Sequence, residues 1–354
     1  MTNGKLDDFI ERLRGPVPGT PAVLEQLRIA GNPVLVRFGS PALAERLTRS
    51  VRHLRQGFSS PPDLVIDCWS TEQIPAAGFA GESAEAGMFH LEREGIQLTW
   101  DSPDGPLAIY DPLKSHAWMR FGPVDSVSNY EVARPFRKIL HWWAADRSLQ
   151  MIHAGAIGSA RGGVLLAGPS GSGKSTTALA CLAGGLQYAA DDYCLVEPGK
   201  LPQVHSLYTS GVANARTADL VPTLRHALLS APCMPGYDSA KHLIFSDEVA
   251  PASATLGFPL RAILVPRVTG GNTSRLEPLS PAESLRALAP STLLQLPGQR
   301  AEGLARLAKL VRAVPSWRLC LGGDPRTAVD LLADLLARHG EPDACPQIQS
   351  SCQA

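Results

Sequence analysis

The strongest restriction on the fold comes from a glycine-rich loop between an apolar strand and a helix. Residues 168–175 are Gly-Pro-Ser-Gly-Ser-Gly-Lys-Ser and match the pattern G-x-x-x-x-G-K-[ST] in full. The run VLLA before the loop is typical of a buried strand, and STTALACLAGG after it predicts a helix that ends at two glycines. A strand, this loop and a helix in that order predict an α/β architecture.

The residue types in the loop suit phosphate binding. Glycines let successive backbone N–H groups approach phosphate oxygens without a Cβ in the way, and the helix directs its positive N-terminus at the anion. Lys174 supplies a cation to the outer phosphates, and the Ser175 hydroxyl is a ligand for Mg²⁺. We therefore predict that the loop binds ATP with Mg²⁺. The predicted nucleotide contacts are Gly168, Pro169, Ser170, Gly171, Ser172, Gly173, Lys174, Ser175 and Thr176.

Two aspartates follow the loop after little intervening chain. Asp191 comes 17 residues after Lys174 (191 − 174). A helix of roughly ten residues is about 15 Å long, and five or six strand residues, at about 3.3 Å each, cover that length in return. Asp191 and Asp192 are therefore expected beside the loop, where they can meet Mg²⁺ or an incoming hydroxyl. Neighbouring strand residues point to opposite faces, so one carboxylate can face the terminal phosphate while the other supports the first carboxylate or binds metal. The alternative is that the two aspartates are only the polar end of a strand, without a catalytic role.

The succession HAGAIG, GPSGSGKST and AADD resembles the catalytic core of the bacterial HPr kinase/phosphorylase family. It is similar, more distantly, to ATP-dependent phosphoenolpyruvate carboxykinases. The match is firm over roughly residues 150–200 and loose to 340. The resemblance implies a P-loop core of this type with a mixed sheet. The chain looks most like the stand-alone bacterial members, some of which phosphorylate serine on ribosomal peptides such as lasso-peptide precursors.

The resemblance also implies roles for individual residues. His153 matches the family's strand histidine and helps to position the phosphates or the catalytic acid. Asp191 matches the catalytic aspartate, which acts as general base towards the substrate hydroxyl. Asp192 matches the second aspartate, which supports Mg²⁺ together with Ser175 or orients its neighbour.

The function expected from these features is an ATP-dependent kinase that phosphorylates a serine of a peptide or small protein. A small-molecule kinase and a non-catalytic, nucleotide-gated binding protein are the alternatives. A C-terminal family signature rich in Arg, Asn and Gly has no clear copy here, so a one-way kinase is expected rather than a phosphorylase. Family members assemble as oligomers, so a homo-oligomer is a further expectation.

The chain divides by pattern into a β-rich α+β portion and the P-loop portion. Alternating runs indicate strands in the first portion, and apolar residues at i, i+3, i+4 and i+7 indicate helices late in the second. Trp142 and Trp143, in the stretch YEVARPFRKILHWWAADRS, are predicted to pack in a core. The predicted divisions are a lead-in at 1–22, an N-terminal domain at 23–129, a connecting helix at 130–149, the kinase domain at 150–340 and a flexible tail at 341–354.

Composition limits the partners and the compartment. Lys plus Arg and Asp plus Glu both number 33, so the chain lacks the basic excess of a nucleic-acid or anionic-membrane binder. Seven cysteines without a CxxC pair argue against structural zinc, and five of them lie in apolar strings as small hydrophobic residues. No apolar run approaches a signal core or membrane span. A cytoplasmic protein is expected.

Further residues are weaker candidates for the site. Lys241 and Arg267 lie near predicted strand ends and could steady a transferring phosphoryl group; a solvated surface charge is the alternative for each. Arg216 is a weaker cation candidate. His205 and Tyr208 follow the aspartate strand and could line the site.

Overall fold

The computed structural model describes residues 11, 20–72, 87–102, 105–234, 241–298 and 300–338, without the side chains of 87–89, 101 and 102. Its architecture is mixed α/β with several sheets. The predicted tail at 341–354 and most of the lead-in at 1–22 fall outside these ranges. In the described ranges, every helix is too short or too polar to cross a membrane.

The first sheet is built from residues 23–121. Its strands are β1 (Val23–Ile29), β2 (Asn32–Phe38), β3 (Leu64–Ser70), β4 (Gly87–Arg93), β5 (Ile96–Ser102), β6 (Leu107–Asp111) and β7 (His116–Phe121). Their order across the sheet is β1-β2-β3-β7-β6-β5-β4. The strand at 23–29 begins at the first residue of the predicted N-terminal domain.

The first sheet combines parallel and antiparallel strand pairs. Strand β2 is parallel to β3, and β3 is parallel to β7, while β4 to β7 form an antiparallel meander. The parallel β2–β3 pair needs a crossover, which helix α1 (Pro41–Thr48) and a 3₁₀ turn (Arg49–Leu54) provide. Pattern identifies strands, but the choice of partner strand is made by contacts distant in sequence.

The predicted connecting helix is two helices rather than one. Helix α2 (Asn129–Ala133) ends before Pro135, and helix α3 (Arg137–Asp146) follows. Between them, Arg134 has φ −140° and Phe136 has the left-handed φ of 59°. A proline disfavours helical backbone in the residue before it, which explains the break. On α3, the side chains of Trp142 and Trp143 are buried in the core, as predicted.

The second sheet carries the loop. Its strands are β8 (Gln150–His153), β9 (Gly155–Ser159), β10 (Gly162–Leu166), β11 (Gln187–Ala190), β12 (Tyr193–Glu197), β13 (Gln203–Ser206), β17 (Gly257–Val268), β18 (Arg275–Pro278) and β19 (Ser316–Leu321). The main path runs β11-β9-β10-β17-β13-β12-β8, and β19 joins β17 and β18. Strands β10, β17 and β19 are parallel to one another, so their carboxyl ends lie at one edge.

Two neighbouring stretches of this sheet break at the same level. Strands β8 and β9 are separated by Ala154, and β11 and β12 are separated by Asp191 and Asp192. Strand β11 pairs with β9, whereas β12 pairs with β8. The stretch LQYAADDYCLV, in which the chain returns from the helix, therefore forms two strands, and the acidic pair lies between them.

Helices cover both faces of the second sheet. Helices α4 (Lys174–Ala183) and α10 (Pro325–Arg338) pack on one face, where residues such as Leu166 and Leu264 form a core with them. Helices α8 (Pro281–Leu293) and α9 (Arg300–Ala313) pack on the other, against residues such as Leu165 and Ile263. The alternation of these residues along the strands is the period of two expected for a sheet buried on both faces.

A small third sheet flanks α4. Strands β14 (Ser210–Ala213), β15 (Cys233–Met234) and β16 (Lys241–Phe245) form it in the order β14-β16-β15, and helices α5 (Ala215–Leu220), α6 (Arg225–Leu229) and α7 (Ser246–Val249) lie beside it in the chain. Four of the five cysteines within the described residues are buried, as their apolar context predicts. Cys233 is exposed, because its strand is a short sheet edge.

Candidate active site

The glycine-rich loop lies at the carboxyl ends of the three parallel strands. It connects β10 to α4, and Gly173 caps the helix with a left-handed φ of 104°. A Cβ at Gly173 would come within 2.5 Å of Leu321 Cδ1, at the end of β19. Both the backbone conformation and the space therefore require glycine here.

Lys174 is folded back into the loop. Its Nζ donates to the carbonyl oxygens of Gly168 at 2.7 Å and Pro169 at 2.9 Å. Burial lowers the pKa of Lys174, the nearby charge of Asp191 opposes that shift, and Lys241 reinforces it. The ammonium group thus sits in a site that an anion would stabilise.

The remaining loop residues differ in exposure. Residues 169–171 form the exposed tip, while the Ser172 hydroxyl is buried and has no hydrogen-bond partner among the described residues. The Thr176 hydroxyl lies 3.4 Å from that of Thr217, at the start of α5. A polar hydroxyl without a partner in the loop interior is what a binding site for a polar ligand requires.

Asp191 lies against the loop. Its Oδ2 accepts from the Val212 N–H at 3.1 Å, and the Ser175 side chain lies beside the carboxylate. Its Oδ1 is buried without a hydrogen-bond partner among the described residues. Burial, followed by the charge of Asp192, raises the pKa of Asp191. A buried carboxylate oxygen with open lone pairs next to a hydroxyl suits a cation.

Asp192 faces a different set of partners. Its Oδ2 forms an ion pair with Arg134 Nε, and its Oδ1 pairs with His153 Nε2. Burial opposes ionisation, but the charge of Arg134 and the hydrogen bond from His153 hold the pKa of Asp192 well below its usual range. The Asp192 side chain is 20% exposed.

The loop, the two aspartates and His153 are thus brought together, with the aspartates turned towards separate partners. Strand pairing sets this arrangement, because His153 at the end of β8 is the register partner of Tyr193 at the start of β12. Their rings lie 5.1 Å apart between centroids.

A cluster of residues from the first half of the chain also reaches the site, and sequence reasoning missed it. The guanidinium groups of Arg134 and Arg137 lie 4.4 Å and 4.6 Å from the ring centroid of Tyr130. Arg137 also bonds the Tyr130 hydroxyl and lies over the Tyr193 ring. The Arg-Pro pair at 134–135 signals a helix boundary, but no local pattern directs these cations to residue 192.

The weaker candidate residues from the sequence lie at different distances from the site. Lys241 lies close enough to affect Lys174 electrostatically, whereas Arg267 and Arg216 are exposed side chains on β17 and α5. His205 is 3.3 Å from Glu197, at the end of β12 remote from the aspartates. Tyr208 is buried, and its hydroxyl donates to the carbonyl oxygen of Pro135 at 2.9 Å, so it braces the segment that carries Arg134.

The residues present fit a nucleotide-bound Mg²⁺ better than a protein-caged metal. In the described part of the chain, no group of three or more His, Cys, Asp or Glu side chains could hold an ion. Mg²⁺ in phosphate-transfer sites is commonly held by one or two protein ligands, with phosphates and water completing the shell. The open Oδ1 of Asp191 next to Ser175 supplies such a pair.

Comparison with known proteins gives limited information. No protein-family model matches the chain, and no curated protein matches it. Among solved structures, the HPr(Ser) kinase/phosphatase from Coxiella burnetii is similar over 54% of this chain and 99% of that one. The sequence identity is 10% and the TM-score is 0.29. The interpretation of the site therefore rests on its own residues.

Proposed function

We propose that this protein is an ATP-dependent kinase that transfers the γ-phosphate to a serine hydroxyl of a peptide or small protein. The observation that carries the proposal is the joint position of the two aspartates. Asp191 lies beside the loop residue Ser175, and Asp192, one residue on, pairs with His153 and remains partly exposed. A phosphate cradle and an accessible carboxylate are adjacent, as phosphoryl transfer to a hydroxyl requires.

The loop residues bind and orient the nucleotide. The backbone N–H groups of residues 170–174 and the N-terminus of α4 receive the phosphates. Lys174 exchanges its bonds to the carbonyl oxygens of Gly168 and Pro169 for the outer phosphates. Because burial disfavours its charge, Lys174 gains from an anionic partner.

Ser175 and Asp191 would hold Mg²⁺. This arrangement differs from the one that the family resemblance implies, in which Asp192 supports the metal and Asp191 is the base. Asp191 is the aspartate beside Ser175, and its Oδ1 is buried without a hydrogen-bond partner among the described residues. When bound, Mg²⁺ neutralises charge on the β- and γ-phosphates.

Asp192 and His153 then serve the acceptor. The acceptor oxygen bonds to the γ-phosphorus, the bond from that phosphorus to the β–γ bridging oxygen breaks, and ADP leaves. The hydroxyl proton passes to the Asp192 carboxylate, whose direction is fixed by its partners Arg134 and His153. A carboxylate of low pKa acts here mainly by orienting the hydroxyl, which is most of what this reaction needs from the protein.

The experiment is a transfer assay with the full chain, Mg²⁺ and γ-labelled ATP. The acceptors are serine-containing peptides, the same peptides with serine replaced by alanine, and a panel of sugars and alcohols. We expect label on serine peptides, none on the alanine peptides, and a loss of about 10²-fold or more in Asp192→Asn with ATP affinity retained.

Two outcomes would contradict the proposal. Label confined to sugars or alcohols would identify a small-molecule kinase. Tight ATP binding with no transfer to any acceptor or to water would identify a nucleotide-gated binding protein. Lys174→Ala is the control for the nucleotide site, because it should weaken binding itself.

A further inference from the structure

Arg134 belongs to the first half of the chain, yet it is part of the acidic pair's immediate surroundings. Its side chain is only 4% exposed and pairs with Asp192. We propose that Arg134 is a positioning residue that fixes Asp192 against His153, so that the segment 129–137 completes the site. This inference rests on the proposed kinase function for its catalytic meaning.

The local sequence explains why Arg134 projects as it does. Helix α2 ends at Ala133, and Pro135 forces Arg134 out of helical geometry. Phe136 then turns the chain with a left-handed φ of 59° into α3. Arg134 therefore lies in the turn between two helices, and its side chain does not follow the face of either helix.

The backbone on both sides of Arg134 is tied to the second half of the chain. The Ser210 hydroxyl donates to the Ala133 carbonyl oxygen at 2.6 Å, and the Tyr208 hydroxyl donates to the Pro135 carbonyl oxygen at 2.9 Å. Both donors are buried. Two hydrogen bonds that flank one residue fix its Cα relative to the segment that leads into β14, whose Val212 N–H donates to Asp191.

The guanidinium group is held as firmly as the backbone. It stacks over the Tyr130 ring, 4.4 Å from the centroid, while Nε meets Asp192 Oδ2. His153 meets the other oxygen, Oδ1. With Arg134 at one oxygen and His153 at the other, the carboxylate is restrained from both sides, which a single partner would not ensure.

Arginine rather than lysine suits this role. Its planar group can stack on Tyr130 and bond Asp192 at the same time, whereas a lysine ammonium is a flexible point charge. A charge-balancing role alone would be met by either residue. Arg134→Lys therefore separates positioning from charge balance.

The test compares full-length Arg134→Lys, Arg134→Gln, Asp192→Asn and the double variant R134Q/D192N. Turnover is transfer from γ-labelled MgATP to the serine peptide, or phosphate release to water, and affinity is measured with a fluorescent ATP analogue. Arg49→Gln is the matched control, because Arg49 also joins the two halves, through Asp247 at 2.8 Å and Glu248 at 3.1 Å, outside the site.

We expect Arg134→Gln and Arg134→Lys to lower turnover per folded molecule at least about tenfold, with nucleotide affinity within about twofold of wild type. In the Asp192→Asn background, Arg134→Gln should lower turnover by less than about twofold, because the carboxylate that Arg134 positions is already absent. Arg49→Gln should retain wild-type turnover. Full turnover in either Arg134 variant, or an equal loss with and without Asp192, would overturn the inference.

A spectroscopic measurement decides the inference even if the proposed function fails. In protein labelled with ¹⁵N-histidine, the His153 Nε2 signal is assigned through its loss in His153→Gln. Arg134→Gln should shift this signal, because Asp192 is released from one side of its clamp, whereas Arg49→Gln should leave it in place. A His153 signal unchanged in Arg134→Gln would overturn the positioning role, whether or not the wild type shows turnover.

Discussion

Gly173 illustrates how a single residue of the loop answers to two constraints. Its left-handed φ of 104° begins helix α4, and the space where a Cβ would stand is filled by Leu321. Gly171 has a left-handed φ of 79° as well, but nothing lies within 4 Å of its Cβ position. Substitution at Gly171 therefore tests backbone strain alone, whereas substitution at Gly173 tests backbone strain together with a steric clash.

We predict that Gly173→Ala lowers the free energy of unfolding by about 2–4 kcal/mol, the sum of a left-handed alanine and an overpacked contact. Gly171→Ala should cost about 1–2 kcal/mol, from the backbone strain alone. Urea unfolding measures both. When Leu321→Ala is combined with Gly173→Ala, the changes in the free energy of unfolding should deviate from additivity by at least about 0.5 kcal/mol. Strict additivity would show that the alanine at position 173 does not clash with Leu321.

At the scale of elements, two segments hold a neutral histidine, which is buried at position 141 and half-buried at position 53. His141 on α3 and His53 on the 3₁₀ turn each have a pKa lowered to about 4, in both cases mainly by burial. In His141 the charges of Arg306 and Arg137 add to the effect, whereas in His53 the charge of Asp247 opposes it. Both helical segments therefore favour the uncharged imidazole.

Folding stability should consequently fall as the solution becomes acidic. The folded-state pKa lies below the unfolded value near 6.5, so the neutral histidines stabilise fully above pH 6.5 and lose this contribution between about pH 6.5 and 4. From pH 7 to 5, each should cost on the order of 1–2 kcal/mol. Thermal or urea unfolding at pH 7 and pH 5 measures this loss of stability. His141→Phe should flatten the dependence, and a slope unchanged from wild type would argue against this origin; exposed His226→Gln is the control.

Local signals predicted the elements around the loop. The helix after the loop spans Lys174–Ala183, close to the ten residues expected, because the loop motif and Gly184–Gly185 mark its two ends within the sequence itself. The return of Asp191 to Ser175 followed from the lengths of helix and strand alone.

Non-local choices could not be predicted in the same way. The break between α2 and α3 had a signal at Pro135, but the apolar periodicity of the flanking residues favoured one helix. The parallel pairing of β3 with β7 and the ion pair of Arg134 with Asp192 depend on contacts between distant residues, for which a single sequence carries no pattern.

At the scale of the molecule, one core joins residues of both halves. Val36 and Phe38 of the first sheet belong to the same buried cluster as Met151 and Leu195 of the second, and Trp142 and Trp143 lie in it as well. The division at residue 149/150 remains a prediction from sequence. The shared cluster makes it possible to test whether the part after residue 149 folds without the part before it.

We predict that residues 150–354 expressed alone do not fold to a native state, because Met151, Leu195 and their neighbours would lose their apolar partners. Circular dichroism, dye binding to exposed apolar surface and chemical-shift dispersion would detect this. Full-length protein, expected to unfold in one cooperative transition, is the reference. A fragment with dispersed signals and cooperative melting would contradict the prediction.

The corner at Arg134 has a consequence for recombination within proteins of this architecture. A chimera that grafts residues 150–338 onto a foreign first half would inherit every motif visible in the sequence and still lack the arginine that reaches Asp192. The transplantable unit therefore begins upstream, near Ser128, the residue that caps α2. Exchange at that boundary keeps the cation and its target in one inherited block.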